Sequence, residues 1–452
     1  MKTLFISLVL SVVSTMAGYA AGEKIKVIDL IEAALNNRGN IEAMKTEIEI
    51  AGLQTSAVYS KYLPQITAAY DFRYNIISPT QIIPVGQFSP VPTDEKRAIR
   101  FGTDWQQNAG VTVYQPLIDL SVRSRIAESR INEKLKSADA AAAERDLKSE
   151  VIRSFILVGI REQQLASAAA DTLRTGKTLE MMFLKADEGE VLKTDINRAN
   201  LNHNNTLVLY REAASELMKE KIYLGFLTGY PLGYLLEGEY DFSSVGIKMD
   251  YGAGLNPLVD SIPEIEKLKL QAELAGRQEK TEIRRKVPVV GVDGFLGASQ
   301  YTDAFDPFGD GTWYGNSYVG LSLRLPIVSG DNTKSRINQL RLEAKSMQAR
   351  MEDERARVLN NSLRLSQEIK QLEYQLMISE QNASLLEENI SLYQERFLKG
   401  LVNAYDLIAQ EIDLQKERVN ISQQQCELLD RKVELITNSG YLETFVEGLR
   451  SE

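Results

Sequence analysis

Two stretches of the sequence share one pattern, called here the glycine phrase: a glycine followed six residues later by an aspartate. They are "ADEGEVLKTDINRANLN", residues 186–202, and "RFLKGLVNAYDLIAQEIDLQ", residues 396–415. Each contains a single glycine, Gly189 or Gly400, within a long segment that is otherwise compatible with helix. Gly400 is the only glycine or proline between residues 331 and 439. Glycine supplies the backbone freedom that a tight turn needs. Each glycine is therefore predicted to form the turn of a helical hairpin.

The repetition extends over most of the chain. Asp195 follows Gly189 by six residues, and Asp406 follows Gly400 by the same number. Prolines recur at matching places in the two halves, in "LPQI" and "VPVV" and in "YQPLID" and "RLPIVS" (Pro64, Pro288, Pro116 and Pro326). Each half has the order helix, strand, loop, strand, long helix, glycine break and helix. Repetition on this scale predicts a duplicated architecture.

Long helices are predicted over residues 27–59, 119–227 and 331–399, which are poor in proline. At 1.5 Å per residue, the last of these runs would make a helix on the order of 100 Å long. Its apolar residues recur at spacings of three and four, which predicts a coiled-coil-like seam. The predicted seam residues are Leu340, Met347, Met351, Val358, Leu365, Leu372, Leu376, Leu385 and Leu392.

Four segments alternate between apolar and polar residues and are predicted as strands: about 64–77, 107–116, 287–301 and 317–327. In the first, apolar side chains alternate with a polar set that includes Asp71 and Arg73. Period-two alternation predicts half-buried strands with one apolar and one polar face. Residues 78–106 and 302–317 are predicted as loops. The second loop contains three aspartates whose spacing does not fit a calcium loop, so no metal site is predicted (Asp303, Asp306 and Asp310).

Composition excludes several classes of function. The chain has 452 residues, a net charge of -10, one cysteine and one histidine. An acidic chain lacks the basic excess that binds nucleic acid. Cys426 alone cannot form an intrachain disulfide, and His203 alone cannot supply a histidine-pair metal site. No nucleophile has a plausible base, and no phosphate loop or zinc motif is present, so neither an enzyme nor a cofactor is predicted.

The first residues, 1–22, have the layout of a secretory signal peptide: Lys2, an apolar core over residues 4–13, and small residues up to Gly22. The chain is therefore predicted to be exported. A segment without an apolar helix can enter a membrane only as a β-barrel. Four strands are too few to close one, so several protomers are predicted to contribute strands to the same barrel.

The signal peptide, the duplicated order, "YQPLID" and "EGEVLKTDINRANLN" together resemble the TolC family of outer-membrane efflux proteins. The resemblance covers nearly the whole mature chain. It implies a mainly α fold with β-structure: TolC-like, duplicated helix–strand–strand–helix repeats, and a trimeric 12-stranded β-barrel on a long α-helical periplasmic tunnel. The implied function is a passive export duct in a tripartite efflux or type I secretion system. The implied partners are a homotrimer, a periplasmic adaptor, an inner-membrane transporter and outer-membrane lipid.

The same resemblance implies roles for the glycine phrases. The hairpin tips would contact the adaptor, with candidates Gly189, Glu190, Val191, Gly400, Leu401 and Val402. Asp195, Asp406 and Tyr405 are candidates for the pore aperture, where threefold symmetry would turn each aspartate into a ring of carboxylates that attracts cations. Two positions depart from the family pattern: Ala409 stands where a second aspartate is usual, and Val402 where an arginine is usual. Gating is therefore expected to rest on other contacts, such as Tyr405 or Lys193.

The predicted division is a signal peptide (1–22), a first repeat (23–229), an inter-repeat segment (230–257), a second repeat (258–438) and a tail (439–452). One alternative remains at this point. An exported coiled-coil structural protein or adhesin without a channel would explain the helices and the signal peptide. It would leave the alternating strands and the duplicated glycine phrase unexplained.

Overall fold

The structure is a computed structural model that describes residues 24–84, 96–100, 102–242, 257–307, 309–327 and 332–450. The predicted signal peptide and part of the 78–106 loop lie outside the described residues. The chain divides into two units. We call residues 47–136 and 269–348 the sheet unit, and the remainder, which comprises residues up to 46, 137–268 and from 349 onward, the helical unit.

The strands are β1 (Gln65–Tyr74), β2 (Thr80–Pro84), β3 (Lys96–Arg100), β4 (Trp105–Ile118), β5 (Val289–Thr302) and β6 (Trp313–Arg324). Four of them form one antiparallel sheet in the order β1-β4-β5-β6. Each sequence repeat thus contributes one pair of neighbouring strands, and the β4–β5 pairing joins the two repeats. The four predicted strands are all present, with ends that differ by a few residues.

The register of the sheet separates its two faces, because directly paired residues point to the same side. One row pairs Asp71 with Asn108 and Asn108 with Ser299, which makes a polar face. Rows on the other face carry apolar side chains such as Ile66, which is 68% exposed, and Val319, which is 84% exposed. The predicted alternation therefore holds over much of the sheet. The apolar face is exposed in the single chain except near Trp105, where the ring of Phe305 packs against Trp105 and the buried Gln107 donates to the Asp306 carbonyl.

The segment 78–106 is not a loop throughout. β2 and β3 pair with each other as a two-stranded antiparallel hairpin between β1 and β4 in the sequence. Thr80 lies opposite Arg100 and Ile82 opposite Ala98. The prolines in this segment, Pro79, Pro84, Pro90 and Pro92, favour a loop prediction. Two of them, Pro79 and Pro84, stand at the ends of β2, where a missing N–H does not interrupt the pairing.

The helices are α1 (Val27–Asn37), α2 (Gly39–Tyr59), α3 (Leu120–Asp187), α4 (Lys193–Thr228), α5 (Leu232–Glu237), α6 (Pro263–Arg284), α7 (Asn332–Leu398), α8 (Ala404–Asn438) and α9 (Leu442–Arg450). Among the helices of the described segments, none has a stretch long and apolar enough to cross a membrane. The prediction of one helix over 27–59 is wrong, since Arg38 has extended backbone angles between α1 and α2. The side chain of Asn37 donates to the carbonyl oxygen of Thr228 at 3.0 Å, a tertiary contact that favours the break.

One apolar core of the helical unit gathers side chains from α1, α3, α4, α5, α8 and α9, including Leu30, Phe155, Leu224, Leu235 and Phe445. The repeat reappears here in a second pair of glycines. Both α4 and α8 are followed by a left-handed glycine, Gly229 with φ +74° and Gly440 with φ +81°. A short helix, α5 or α9, begins after each of them and packs on this core.

The seam of α7 follows a strict heptad over its second half, with buried residues at Leu365, Ile369, Leu372, Ser379, Ala383, Ile390 and Phe397. The predicted seam agrees up to Leu376, which is half-buried. At its last two positions the prediction is wrong, since Leu385 is 58% exposed and Leu392 is 44% exposed. The sequence places leucines on two faces of this helix, and Ala383 and Ile390 occupy the buried one.

Candidate functional site

The two predicted hairpin turns have the same backbone structure. Gly189 and Gly400 have φ values of +81° and +69°, which favour glycine. The N–H of each glycine donates to the carbonyl three residues earlier, at 2.9 Å and 3.0 Å. The following N–H, of Glu190 or Leu401, donates to the carbonyl five residues earlier, at 3.0 Å and 2.9 Å. This is the Schellman pattern that ends a helix, formed once in each repeat.

The helices that leave the turns begin differently. Asn403 precedes α8, and its side-chain oxygen accepts a hydrogen bond from the backbone N–H of Asp406 at 2.9 Å. Leu192 precedes α4 without a side-chain cap, and the N–H of Asp195 donates to the Leu192 carbonyl at 2.9 Å. Both aspartates thus lie in the first turn of a helix, where a negative charge complements the helix dipole.

Both turns pack against one apolar cluster in the helical unit. Its buried members come from all four helices of the two hairpins: Met182, Ala199, Ala383, Ile390, Phe397, Ala404, Leu407, Ile408 and Leu414. Val191 and Val402, each two residues after a turn glycine, pack against the edge of this cluster. Val402 therefore has an apolar contact where the family pattern has a charge. The cluster holds the two turns side by side.

The predicted site residues are therefore gathered at one pair of turns. Glu190 forms an ion pair with Lys185 at 2.7 Å, and Leu401 is 71% exposed. The side chain of Tyr405 is 52% exposed, and the guanidinium of Arg198 lies over its ring, 4.2 Å from the centroid. A cation over a tyrosine ring is an attractive contact, and this one joins α8 to α4. Asp195 and Asp406 are half-buried.

A buried polar network, which the sequence patterns above do not predict, lies deeper in the two hairpins. Glu411 of α8 is fully buried. Its carboxylate accepts a hydrogen bond from the hydroxyl of Thr178 in α3 at 2.7 Å and another from the amide of Asn202 in α4 at 2.9 Å. Gln415 in turn donates to the Asn202 side-chain oxygen at 3.2 Å. A signal was present in the sequence, since Leu407, Glu411 and Leu414 follow core spacing.

Charged residues continue this network. Arg174 of α3 bonds Asp171 at 2.8 Å and lies 3.8 Å from the Glu411 carboxylate. Arg418 of α8 contacts Asp171 and pairs with Glu387 of α7 at 2.6 Å. Burial raises the pKa of both Glu411 and Asp171, although the nearby arginines and hydrogen bonds act in the opposite direction.

In the sheet unit, the polar face carries aromatic rings that lie against glycines. The ring of Phe295 covers Gly110 and Gly297, where a Cβ on either glycine would come within 2.5 Å of a ring carbon. Tyr318 stacks beside Phe295 with ring centroids 6.0 Å apart. Glycine opposite an aromatic ring is a recognised device for curving a sheet and shielding its backbone. The ring of Phe295 therefore projects less from the polar face than its size alone would suggest.

Within the part of the chain that the structure describes, no group of three or more His, Cys, Asp or Glu side chains is arranged to hold a metal ion. The one histidine, His203, lies with Nδ1 3.1 Å from the Thr175 hydroxyl, at the margin of the network around Glu411.

The chain is similar to known channels. The profile of the family described as Outer membrane efflux protein matches residues 259–440, whereas no curated protein sequence matches the chain. Among solved structures, the outer membrane protein VceC of Vibrio cholerae superposes with TM-score 0.71 at 14% identity, covering 92% of this chain and 96% of that one. CusC superposes with TM-score 0.72 at 14% identity, covering 95% of each chain. The Campylobacter jejuni CmeC outer membrane channel gives 0.69 at 16% identity, covering 92% of this chain and 85% of that one.

These similarities agree with the duplicated helix–strand–strand–helix order, the two-faced sheet and the twin glycine turns. The family match covers the second repeat, and the likeness in fold extends over the first repeat as well. Residues 259–440 thus match the outer membrane efflux protein family, and the chain as a whole has the TolC-like fold of the solved outer membrane channels.

Proposed function

We propose that three copies of this chain form one passive export duct. The observation that carries this proposal is the four-stranded sheet, which has one exposed apolar face and one polar face. Within the described residues no strand pairs with the outer edges of β1 and β6. Unpaired edges in lipid leave backbone groups without hydrogen bonds. Pairing β1 of each copy with β6 of the next closes a sheet with twelve strands, an even number in the range known for outer-membrane channels.

In this assembly the apolar face meets lipid and the polar face lines the bore. Ile66 and Val319 then contact hydrocarbon, while Asp71, Asn108 and Ser299 contact water. The helical hairpins extend into the periplasm, where the turns at Gly189 and Gly400 meet a periplasmic adaptor that connects to an inner-membrane transporter. The cargo passes without chemical change, so no catalytic residue or cofactor is assigned. The coiled-coil adhesin is not favoured, because it gives no reason for the two-faced sheet.

The paired turns form the periplasmic aperture in this proposal. Symmetry places three copies of Asp195 and three of Asp406 near the axis, and each set attracts cations. Tyr405, held under Arg198, narrows the opening. The half-burial of both aspartates and the exposure of Tyr405 support this assignment.

Conductance in a planar bilayer tests the proposal, with purified wild-type protein measured beside Asp406→Ala. We expect a small, cation-preferring conductance that rises or loses selectivity in the variant. Asp413→Ala, which removes an exposed acid of the same helix, is the matched control and should behave as the wild type. If the protein conducts but Asp406→Ala leaves conductance and selectivity unchanged, the duct is supported and the assignment of Asp406 to the aperture is wrong. A protein that stays soluble without detergent and never inserts contradicts the duct itself.

A further inference from the structure

Glu411 is the best candidate for a second determinant of the aperture. Burying a carboxylate costs free energy unless it is paired and hydrogen-bonded. Removing one partner of a buried pair leaves the other uncompensated, which destabilises the fold more than replacing both partners by apolar residues. Glu411 bonds one helix with each oxygen, α3 through Thr178 and α4 through Asn202. Those two helices form the first hairpin, whereas Glu411 belongs to the second. The side chain of Glu411 therefore joins α8 of the second hairpin to both α3 and α4 of the first.

The two bonded residues lie at equal sequence distances from the turns of their own hairpins. Thr178 precedes Gly189 by eleven residues, and Glu411 follows Gly400 by eleven. At 1.5 Å per residue both are roughly 16 Å from their turns. Sliding α8 along its neighbours by a single helical turn, about 5.4 Å, would break both hydrogen bonds. The two hydrogen bonds therefore fix the position of α8 along its neighbouring helices, and with it the relative height of the turns at Gly189 and Gly400.

We propose that Glu411 is a positioning residue that, through Thr178 and Asn202, holds the second hairpin in register on the first and so limits how far the turns at Gly189 and Gly400 can separate. The inference rests on the proposed function, which assigns the aperture to those turns. Glu411 acts through its partners and does not touch the cargo.

The charged groups around Glu411 come from α3, α7 and α8. Arg174 and Asp171 face it from α3, and Arg418 belongs to α8 and reaches Glu387 of α7. From α4 the contact is uncharged, through Asn202. Asp171, Arg418, Glu387 and Gln415 also line an open groove of about 540 Å³ between the helices. Water thus reaches the outer part of the network, while Glu411 stays behind it.

Removing the side chain and neutralising it should have different effects. Glu411→Ala removes both hydrogen bonds, and we expect a several-fold rise in mean single-channel conductance at neutral pH. Glu411→Gln keeps the size and can still accept from Asn202 while donating to the Thr178 hydroxyl, so its conductance should stay close to the wild type. Thr178→Val removes a single donor with little change of shape and should give an intermediate rise. Asp413→Asn is the control.

The pH profile distinguishes positioning from general destabilisation. Burial raises the pKa of Glu411 above its ordinary value of 4.5. Separation of the hairpins would admit water and return the pKa toward that value. The closed arrangement, in which the hairpins stay together, therefore binds the Glu411 proton more tightly than the separated one. By linkage, lowering the pH toward the ordinary pKa of a glutamate favours the closed arrangement. We expect the wild-type conductance to fall as the pH decreases through this window, and the Glu411→Gln conductance to change less.

An exchange of partners tests the pairing itself. In the double variant Asn202→Asp/Glu411→Gln, the carboxylate at position 202 can accept from the new amide at position 411 and from Gln415. The oxygen of that new amide can accept from the Thr178 hydroxyl. We expect the exchange to conduct as the wild type, whereas Asn202→Asp alone, which sets two carboxylates against each other, should conduct more.

The inference is overturned if Glu411→Ala conducts as the wild type, or if Glu411→Gln keeps the full wild-type pH response. An exchange variant that conducts like Asn202→Asp alone also contradicts it. Wild-type protein that forms no channel at all would instead contradict the proposed function, so the two failures are distinguishable. Heat-resistant oligomers on unheated gels establish that each variant is assembled before its conductance is compared.

Discussion

At the scale of single residues, the positive φ of Gly400 and Gly189 is the feature that makes each hairpin. A Cβ on either glycine would meet no atom within 4 Å, so space does not demand glycine at these positions. The backbone conformation does, because the left-handed region costs an L-residue roughly 1–2 kcal/mol. The glycine is therefore selected by local geometry alone.

Gly400→Ala is predicted to lower the stability of the protein by about 1–2 kcal/mol, because the turn keeps its left-handed conformation. The matched control is Gly276→Ala in the middle of α6, where a Cβ also meets nothing within 4 Å but φ is helical. There alanine should stabilise by about 0.5–1 kcal/mol, through the smaller loss of backbone entropy. Melting temperatures in detergent should thus shift in opposite directions, and shifts of the same sign would contradict the argument.

At the scale of elements, strand pairing and side-chain size are coupled in the sheet. β4 and β5 come from different repeats, and Gly110 of one lies directly opposite Gly297 of the other. The ring of Phe295 fills the shallow space that the two glycines leave. The sheet thus carries a large ring without a large projection from its polar face.

Gly110→Ala is predicted to push the Phe295 ring away from the sheet, since the added Cβ would lie 2.5 Å from a ring carbon. Overpacking of this kind costs roughly 1–3 kcal/mol. The displaced ring would also narrow a bore lined by the polar face, so single-channel conductance should fall. Gly110→Ala/Phe295→Ala should restore it. Gly294→Ala is the control, because there the nearest contact to a new Cβ is an ordinary 3.6 Å. Equal conductance in the two single variants would refute the prediction.

At the scale of the whole molecule, the exposed apolar side chains of the sheet indicate what surrounds it. Leu321 is 78% exposed in the single chain, and its neighbour Ser322 points to the polar face. A continuous exposed apolar surface on a folded chain marks contact with lipid or protein. Lipid is the environment that the proposed duct gives to this face.

Leu321→Arg and Ser322→Arg form a matched pair, since they place the same charge on adjacent residues of β6. A charge on the lipid face costs up to about 2–4 kcal/mol, depending on depth, whereas one on the water-filled side is tolerated. We expect Leu321→Arg to reduce the heat-resistant oligomer in outer-membrane fractions and Ser322→Arg to leave its amount unchanged. Quantitative immunoblots of unheated membranes measure this. A loss in Ser322→Arg alone would reverse the assignment of the faces.

Much of the fold could be predicted because its signals are local. The alternation of β1, β4 and β6 and the glycine of each hairpin turn depend on neighbouring residues only. The predictions failed where local signals were ambiguous. Leu385 and Leu392 have good seam spacing, but Ala383 and Ile390 form the buried stripe. The break at Arg38 lies in a segment whose pattern is helical on both sides.

The duplicated order of elements, the two helical turns and the two faces of each strand follow from the sequence, because backbone preference and periodicity act over a few residues. The folded chain alone shows which strands pair between the repeats, which stripe of α7 is buried and where Glu411 finds its partners. Thr178 and Glu411 are separated by 233 residues, and no local preference reports a contact at that range. Burial is set by the partner that covers a surface, and the partner of each helix is known only once the chain has folded.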